Sequence, residues 1–342
     1  MPLRVLVVDD SPTFRALLRA RLEEDGALAV VAEAGDGAEA ARLTAEIEPD
    51  VVVMDVEMPE VAGGGAPRRI MGESPTPVVM VWGGDERAVQ MSVAALEAGA
   101  LTALTKPRGP DDERAWRRFG RTVKAMAEVR VVRRPNGRPV GHQRRAPDRS
   151  ASIVAMAAST GGPRAVRTIL AALGADFPVP ILLVQHIGRD FAEGFASWLD
   201  ASVPLRVRLA RDGDALTPGD VHLAPPSRHL TVHRGVVRLC PEPPIHGFRP
   251  SASATYASVA RAYGERGLGV ILTGMGRDGV EGLAELHRRG GHVVAQDSRT
   301  SVVDSMPGAA LRAGIVHEVL PLPDISAYVR SCVDCRRDRS WG

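Results

Sequence analysis

The chain reads as an α/β protein made of two doubly wound parallel-sheet domains. Two observations predict this: short apolar runs alternate with amphipathic stretches along both halves, and an arginine- and proline-rich stretch interrupts the alternation once. Strand–helix alternation at this rhythm is the signature of parallel sheets covered by helices. At 342 residues the chain is long enough for two buried cores.

In the first half, Arg4–Val8, Val30–Ala34, Val51–Met54, Pro77–Val81 and Ala100–Leu104 read as strands. Apolar residues at helical spacing predict helices over Ser11–Glu24, Gly37–Glu48, Arg87–Ala98 and Asp111–Glu128. Between Val129 and Ser150 stand seven arginines and three prolines, and this stretch reads as an exposed linker. Alternation resumes with strands at Ser152–Ala157, Ile181–Gln185, Val221–Ala224, Leu268–Thr273 and His292–Ala295, and helices at Gly162–Leu173 and Val280–Arg289. Leu205–Leu209 and Leu230–Cys240 read as an inserted β-hairpin region. The expected organisation is a first domain over 1–125, a linker over 126–150, a second domain over 151–330 and a tail over 331–342.

Composition excludes several function classes. The net charge of +2 implies no domain-wide positive field, so nucleic acid is not expected as the main partner. No apolar stretch approaches the about 18–20 residues that membrane insertion needs, and no leader precedes the first strand. Cys240, Cys332 and Cys335 do not form a secreted disulfide framework, and a cytoplasmic protein is expected. Cys332-x-x-Cys335 lacks a second half-site for zinc and reads as part of a frayed tail.

Asp9 and Asp10 end the first strand, Asp55 ends the third, and Lys106 ends the last. Carboxyl ends of central strands line one crevice in such sheets. Three carboxylates converging there call for a hard cation, and Mg²⁺ suits them. The stretches Val7-Val8-Asp9-Asp10-Ser11, Met54-Asp55-Val56-Glu57-Met58-Pro59 and Thr105-Lys106-Pro107 resemble the response-regulator receiver family over about residues 1–125. The resemblance implies a flavodoxin-like fold in which Asp55 accepts a phosphoryl group from a chemotaxis histidine kinase. It further implies a Mg²⁺ site of Asp10, Asp55 and the Glu57 backbone carbonyl, with Asp9 beside it and Lys106 on the phosphoryl oxygens. The chain departs from that family at Trp82, where a Ser or Thr is usual, at Ala103, where an aromatic is usual, and at Ala62-Gly63. An indole cannot repeat the small inward movement of a hydroxyl.

The second half places a serine, a histidine and an aspartate after apolar runs. Ile153–Met156 leads into Ala157-Ala158-Ser159-Thr160-Gly161-Gly162-Pro163, a strand-to-helix turn that would lift a hydroxyl above the sheet. His186 follows Ile181–Gln185, and Asp278 follows Leu268–Thr273 within a glycine-rich loop. A nucleophile, a base and an orienting carboxylate on one rim satisfy the condition for a triad. Taken singly, Ser159 also reads as a helix cap, His186 as a structural residue, and Asp278 as an N-cap for the helix near Val280.

Ala158-Ser159-Thr160-Gly161-Gly162-Pro163, Val184-Gln185-His186 and Ile271-Leu272-Thr273-Gly274-Met275-Gly276-Arg277-Asp278-Gly279 resemble the chemotaxis protein-glutamate methylesterase family, over about residues 150–325. The resemblance implies a Rossmann-like serine hydrolase, without a cofactor, that demethylates glutamate methyl esters of chemoreceptors. It assigns the nucleophile to Ser159, the base to His186, the orienting carboxylate to Asp278, and the oxyanion donors to the Thr160 and Met275 amides. It leaves deamidation of receptor glutamines open as a second activity. In that family the unphosphorylated receiver covers the active site. Ala157, His246, Phe248 and Ser253 depart from the family's usual residues. Two rival readings are an esterase using Ser159, Asp278 and His317, and a receptor-binding adaptor without catalysis.

Overall fold

The computed structural model describes residues 1–58, 65–83, 95, 98–107, 109, 111–129 and 150–334. The chain divides into two units, Met1–Gly137 and Arg138–Gly342.

The first unit runs β1 (Leu3–Val8), α1 (Pro12–Glu23), β2 (Leu28–Ala34), α2 (Gly37–Ile47), β3 (Val51–Asp55), α3 (Gly65–Glu73), β4 (Val78–Trp82), β5 (Thr102–Thr105) and α4 (Glu113–Ala127). The strands form one parallel sheet of order β2-β1-β3-β4-β5. All five residues of β3 and of β4 are buried, as expected of strands covered on both faces. Polar caps start three of the helices: Ser11 Oγ accepts from the Phe14 amide, Asp36 from Glu39 and Asp112 from Ala115. The α3 segment carries no helical signature in its glycines, yet Pro67 falls near its start, where a missing N–H is harmless. The helix expected over Arg87–Ala98 lies outside the described residues except at Ala95 and Ala98.

The second unit runs β6 (Ile153–Ala158), α5 (Gly162–Leu173), β7 (Ile181–Gln185), α6 (Ala192–Ser202), β8 (Arg206–Leu209), β9 (Asp220–Leu223), β10 (His229–His233) and β11 (Val236–Cys240). It continues through α7 (Ala252–Tyr263), β12 (Gly267–Ile271), α8 (Val280–Arg288), β13 (His292–Gln296), α9 (Ser305–Arg312), β14 (Glu318–Leu320) and α10 (Leu322–Asp334). Its main sheet has the order β14-β13-β12-β6-β7-β9-β8 and is parallel throughout. The edge of this sheet differs from the sequence expectation. Arg206–Leu209 is the parallel edge strand of this sheet, whereas β10 and β11 pair as an antiparallel hairpin. Burial of Leu205 and Val207, and a bidentate pair from Arg206 to Asp220 at 2.8 and 2.6 Å, tie β8 to β9.

The C-terminal end also differs from the sequence expectation. Cys332 is not in a frayed tail: it is fully buried in α10, whose end is pinned to the start of the unit by Ala151 N–H on Cys332 O and Ser150 Oγ on Val333 O. Cys335 lies outside the described residues. No described helix is long and apolar enough to cross a membrane.

Candidate active site

In the larger sheet the strand order reverses between β6 and β12, which leaves a crevice at their carboxyl ends. Ser159 follows β6 directly. The Ser159 amide donates to Thr273 O at 3.0 Å, and Gly162 N–H returns to Ser159 O at 2.9 Å, closing a tight turn into α5. Gly161 supplies the left-handed backbone of that turn, with φ +75°. Its open face is filled by Val302, from the loop after β13, so that a Cβ there would lie 2.6 Å from Val302 Cβ. Gln185, the last residue of β7, donates from Nε2 to Ser159 O at 2.8 Å and holds the turn from the other side. Ala157 is accommodated as an ordinary buried strand residue, paired with Ile271 and Val184.

His186 is positioned by its own amide, which donates to Ala158 O at 3.0 Å beside the serine turn. Its Nε2 lies 2.9 Å from Asp278 Oδ2, while its Nδ1 is buried with no hydrogen-bond partner among the described residues. The phenyl ring of Phe248 stacks on the imidazole, with centroids 4.3 Å apart and planes 15° from parallel.

Asp278 is fully buried. It does not cap the helix that follows it: α8 starts from Gly279 in a left-handed conformation, without a side-chain cap. The carboxylate instead reaches the start of α7, accepting from Ser251 Oγ at 2.6 Å, Ala252 N–H at 2.7 Å and Ser253 N–H at 3.3 Å. Burial would lift its pKa, but hydrogen bonding and charge from His186, then Ser251 and Ala252, outweigh it and hold the carboxyl below the usual range. Ser253, a departure from the family, receives the Gly279 amide on Oγ at 2.9 Å and so braces the Asp278 loop.

Thr160 follows the serine, and Met275 follows Gly274, where a Cβ would fall 2.8 Å from Ser159 Cβ. That close approach requires glycine at 274. His317 is placed elsewhere. It precedes β14, stacks on His292 at 4.5 Å and accepts the Val293 amide on Nδ1 at 3.0 Å. The geometry brings His186, not His317, to Asp278. Sequence reading missed Phe248, Gln185 and Ser251 as parts of the site. In the sequence Phe248 stands out only as a departure from the family's usual residues, and the partners of the other two come from distant segments.

In the first unit, Asp9, Asp10 and Asp55 each bring a carboxylate oxygen within 4.8 Å of the others at the β1/β3 reversal. Lys106 Nζ lies 3.0 Å from Asp9 Oδ2 and 2.9 Å from Asp55 Oδ2, and 4.5 Å over the Phe14 ring. Burial pushes Asp55 above the usual carboxylate range despite Lys106, with Asp9 adding to the rise. Burial works against the Lys106 ammonium, yet Asp55 and Asp9 more than offset it and hold the lysine protonated. The pair is therefore unequal, because two buried carboxylates share one ammonium. Asp55 Oδ1 is buried without a hydrogen-bond partner among the described residues, so the cluster fits a divalent cation. The Glu57 backbone is the smallest influence on the Asp55 carboxyl and acts to lower its pKa. Trp82 is buried at the end of β4, opposite Thr105, and Ala103 lies on β5 opposite Met80. Ala62 and Gly63 lie outside the described residues.

Residues 154–329 match the family model described as CheB methylesterase, and residues 5–115 match that of the response regulator receiver domain. The chain belongs to the CheB methylesterase family. A relative from Myxococcus xanthus (strain DK1622), protein-glutamate methylesterase/protein-glutamine glutaminase 4, is 50% identical over 96% of this chain and 97% of its own length. Protein-glutamate methylesterase/protein-glutamine glutaminase 3 of Anaeromyxobacter dehalogenans (strain 2CP-C) is 51% identical over 95% of this chain and 97% of its own. The crystal structure of the Thermotoga maritima CheB methylesterase catalytic domain is similar with a TM-score of 0.51 and 37% identity, over 53% of this chain and 98% of that one. The receiver thus precedes a methylesterase domain in one chain, an arrangement that fits the two units seen here.

Proposed function

We propose that this chain is a protein-glutamate methylesterase that also acts as a protein-glutamine glutaminase on chemoreceptors in the cytoplasm, under control of its phosphorylated receiver. The observation that carries the reading is the bond from His186 Nε2 to the buried Asp278 carboxylate, beside the Ser159 turn.

Ser159 Oγ attacks the carbonyl carbon of the glutamyl methyl ester, and its proton passes to His186 Nδ1. Asp278 holds the imidazole by Nε2 and balances the imidazolium charge. The Thr160 and Met275 amides donate to the tetrahedral oxyanion. Collapse breaks the ester C–O bond, and methanol departs with the proton from Nδ1, leaving an acyl-enzyme. Water then adds with His186 as base, releasing the glutamate carboxylate and restoring the serine. With a glutamine substrate the same sequence releases ammonia.

Asp55 accepts the phosphoryl group from a chemotaxis histidine kinase. Asp10, Asp55 and the Glu57 carbonyl would hold Mg²⁺, with Asp9 alongside and Lys106 reaching the phosphoryl oxygens. Bound Mg²⁺ supplies positive charge that lets a phosphoryl anion approach these carboxylates.

The test is methanol release from methylated chemoreceptor membranes by the intact chain and by Ser159→Ala, before and after acetyl phosphate. Serine-dependent release that rises with acetyl phosphate is expected. Equal release by both chains refutes the nucleophile. Serine-dependent release indifferent to acetyl phosphate refutes the receiver's control.

A further inference from the structure

We propose that Phe248 is a positioning residue for the reaction. Its ring fixes the plane of the His186 imidazole so that Nδ1 faces the serine, and its π face stabilises the imidazolium that forms during turnover. The inference rests on the reading of His186 as the base.

The need for such a residue follows from the ring's own bonding. Among the described residues His186 has one ring hydrogen bond, at Nε2, and a ring held at one point remains free to tilt about that bond. A second constraint must come from packing. Phe248 supplies it across a whole face, at 4.3 Å and nearly parallel. A phenyl group has no donor or acceptor, so it does not compete for Nδ1. Its negative π face favours an adjacent cation, which here exists only while the imidazole carries the extra proton.

The backbone delivers this ring from a braced loop. Ile245 and Phe248 exchange both backbone hydrogen bonds, at 3.1 and 2.9 Å, across a two-residue turn. His246 and Gly247 take φ of 48° and 86°, the pair of positive values that a type I′ turn requires. Arg249 Nη1 donates to Pro241 O and Glu242 O, both at 3.2 Å. Buried His229 accepts the Ser251 amide on Nδ1 and donates from Nε2 to Pro243 O, each at 3.1 Å. This ties the loop to the same helix start that binds Asp278. On the Met275 side, Gly276 lies close enough that a Cβ there would touch Phe248 Cζ at 3.8 Å. The ring, the carboxylate and the oxyanion loop are thus held as one assembly.

The experiment uses the full chain with Phe248→Ala, Phe248→Leu and Phe248→Tyr. Two rates are read: covalent capture of Ser159 by a small fluorophosphonate, and kcat and KM on a peptide carrying a glutamate γ-methyl ester. Fluorophosphonate capture needs an activated serine but no receptor recognition. The expected result is a loss of about tenfold in capture rate and kcat for Phe248→Leu and Phe248→Ala, with KM within about twofold of the parent. Phe248→Tyr keeps most of both rates, because it keeps the ring. Melting temperatures identify any variant that fails to fold, and Phe248→Leu keeps apolar bulk if the alanine variant does. Parent-like rates in the leucine variant overturn the proposal. So does a tyrosine variant as slow as the leucine one, or a loss confined to KM. A folded parent chain that takes up no fluorophosphonate overturns the serine–histidine reading itself, and this proposal with it.

Discussion

Ser251 Oγ donates to Asp278 Oδ1 at 2.6 Å, joining the first turn of one helix to a carboxylate that stands before another. The same carboxylate receives His186 through Oδ2. Asp278 is therefore oriented by α7, a segment that ends no strand of the crevice. Ser251→Ala removes a buried hydrogen bond to a charged group, which costs about 2 kcal/mol. A fall of that size in unfolding free energy, with a reduced kcat, is expected from denaturant titration and ester hydrolysis.

The depressed pKa of Asp278 has a consequence for acid stability. A carboxyl group whose folded pKa lies below the unfolded value stabilises the fold above the ordinary aspartate pKa of about 4. That contribution is lost as pH falls through the lower folded value. Urea midpoints of the second unit should therefore drop below about pH 4, and Asp278→Asn should flatten that part of the profile. An unchanged acid limb in the variant would contradict the assignment.

Gly161→Ala should destabilise the second unit by about 2–4 kcal/mol. The new Cβ meets Val302 at 2.6 Å, and φ +75° is unfavourable for any residue with a Cβ. Adding Val302→Gly removes both overlapping atoms, Cβ and Cγ2, but not the backbone strain at 161, so relative to Val302→Gly alone about 1–2 kcal/mol of the loss should remain. Thermal unfolding of the single and double variants measures both parts.

Asp55 behaves in the opposite sense to Asp278. With its folded pKa raised, mainly by burial, its charged form opposes folding, and the first unit loses stability as pH rises from about 4 through the folded value. Mg²⁺ should offset this at neutral pH, adding about 2.7 kcal/mol at a hundredfold excess over its dissociation constant. Asp55→Asn should stabilise the metal-free unit and abolish most of the Mg²⁺ gain. Melting curves with and without Mg²⁺ test both statements.

Much of the fold and of the site can be read from the sequence because each signal is local. The Ser159 turn needs glycine and small residues in immediate succession, and Asp9, Asp10, Asp55 and Lys106 end apolar runs. His186 and Asp278 stand after such runs in the same way. Local signals fail where partners are distant. Arg206–Leu209 resembles a hairpin strand until its pairing with Asp220–Leu223 is seen. Asp278 resembles a cap for α8, and its actual partners at 251–253 lie in a segment that shows no sign of the contact.

The sequence by itself determined the strand–helix alternation in both halves and the apolar runs after which Ser159, His186 and Asp278 stand. Periodicity and turn chemistry act over a few residues and leave a direct record in composition. Only the tertiary structure decided which histidine meets Asp278, which nitrogen of that ring it binds, and that Phe248 covers the imidazole. Those outcomes depend on how loops from 186, 248, 251 and 278 converge. Their convergence follows from sheet order and helix placement, which bring together residues far apart in the chain and specify contacts that no single segment encodes.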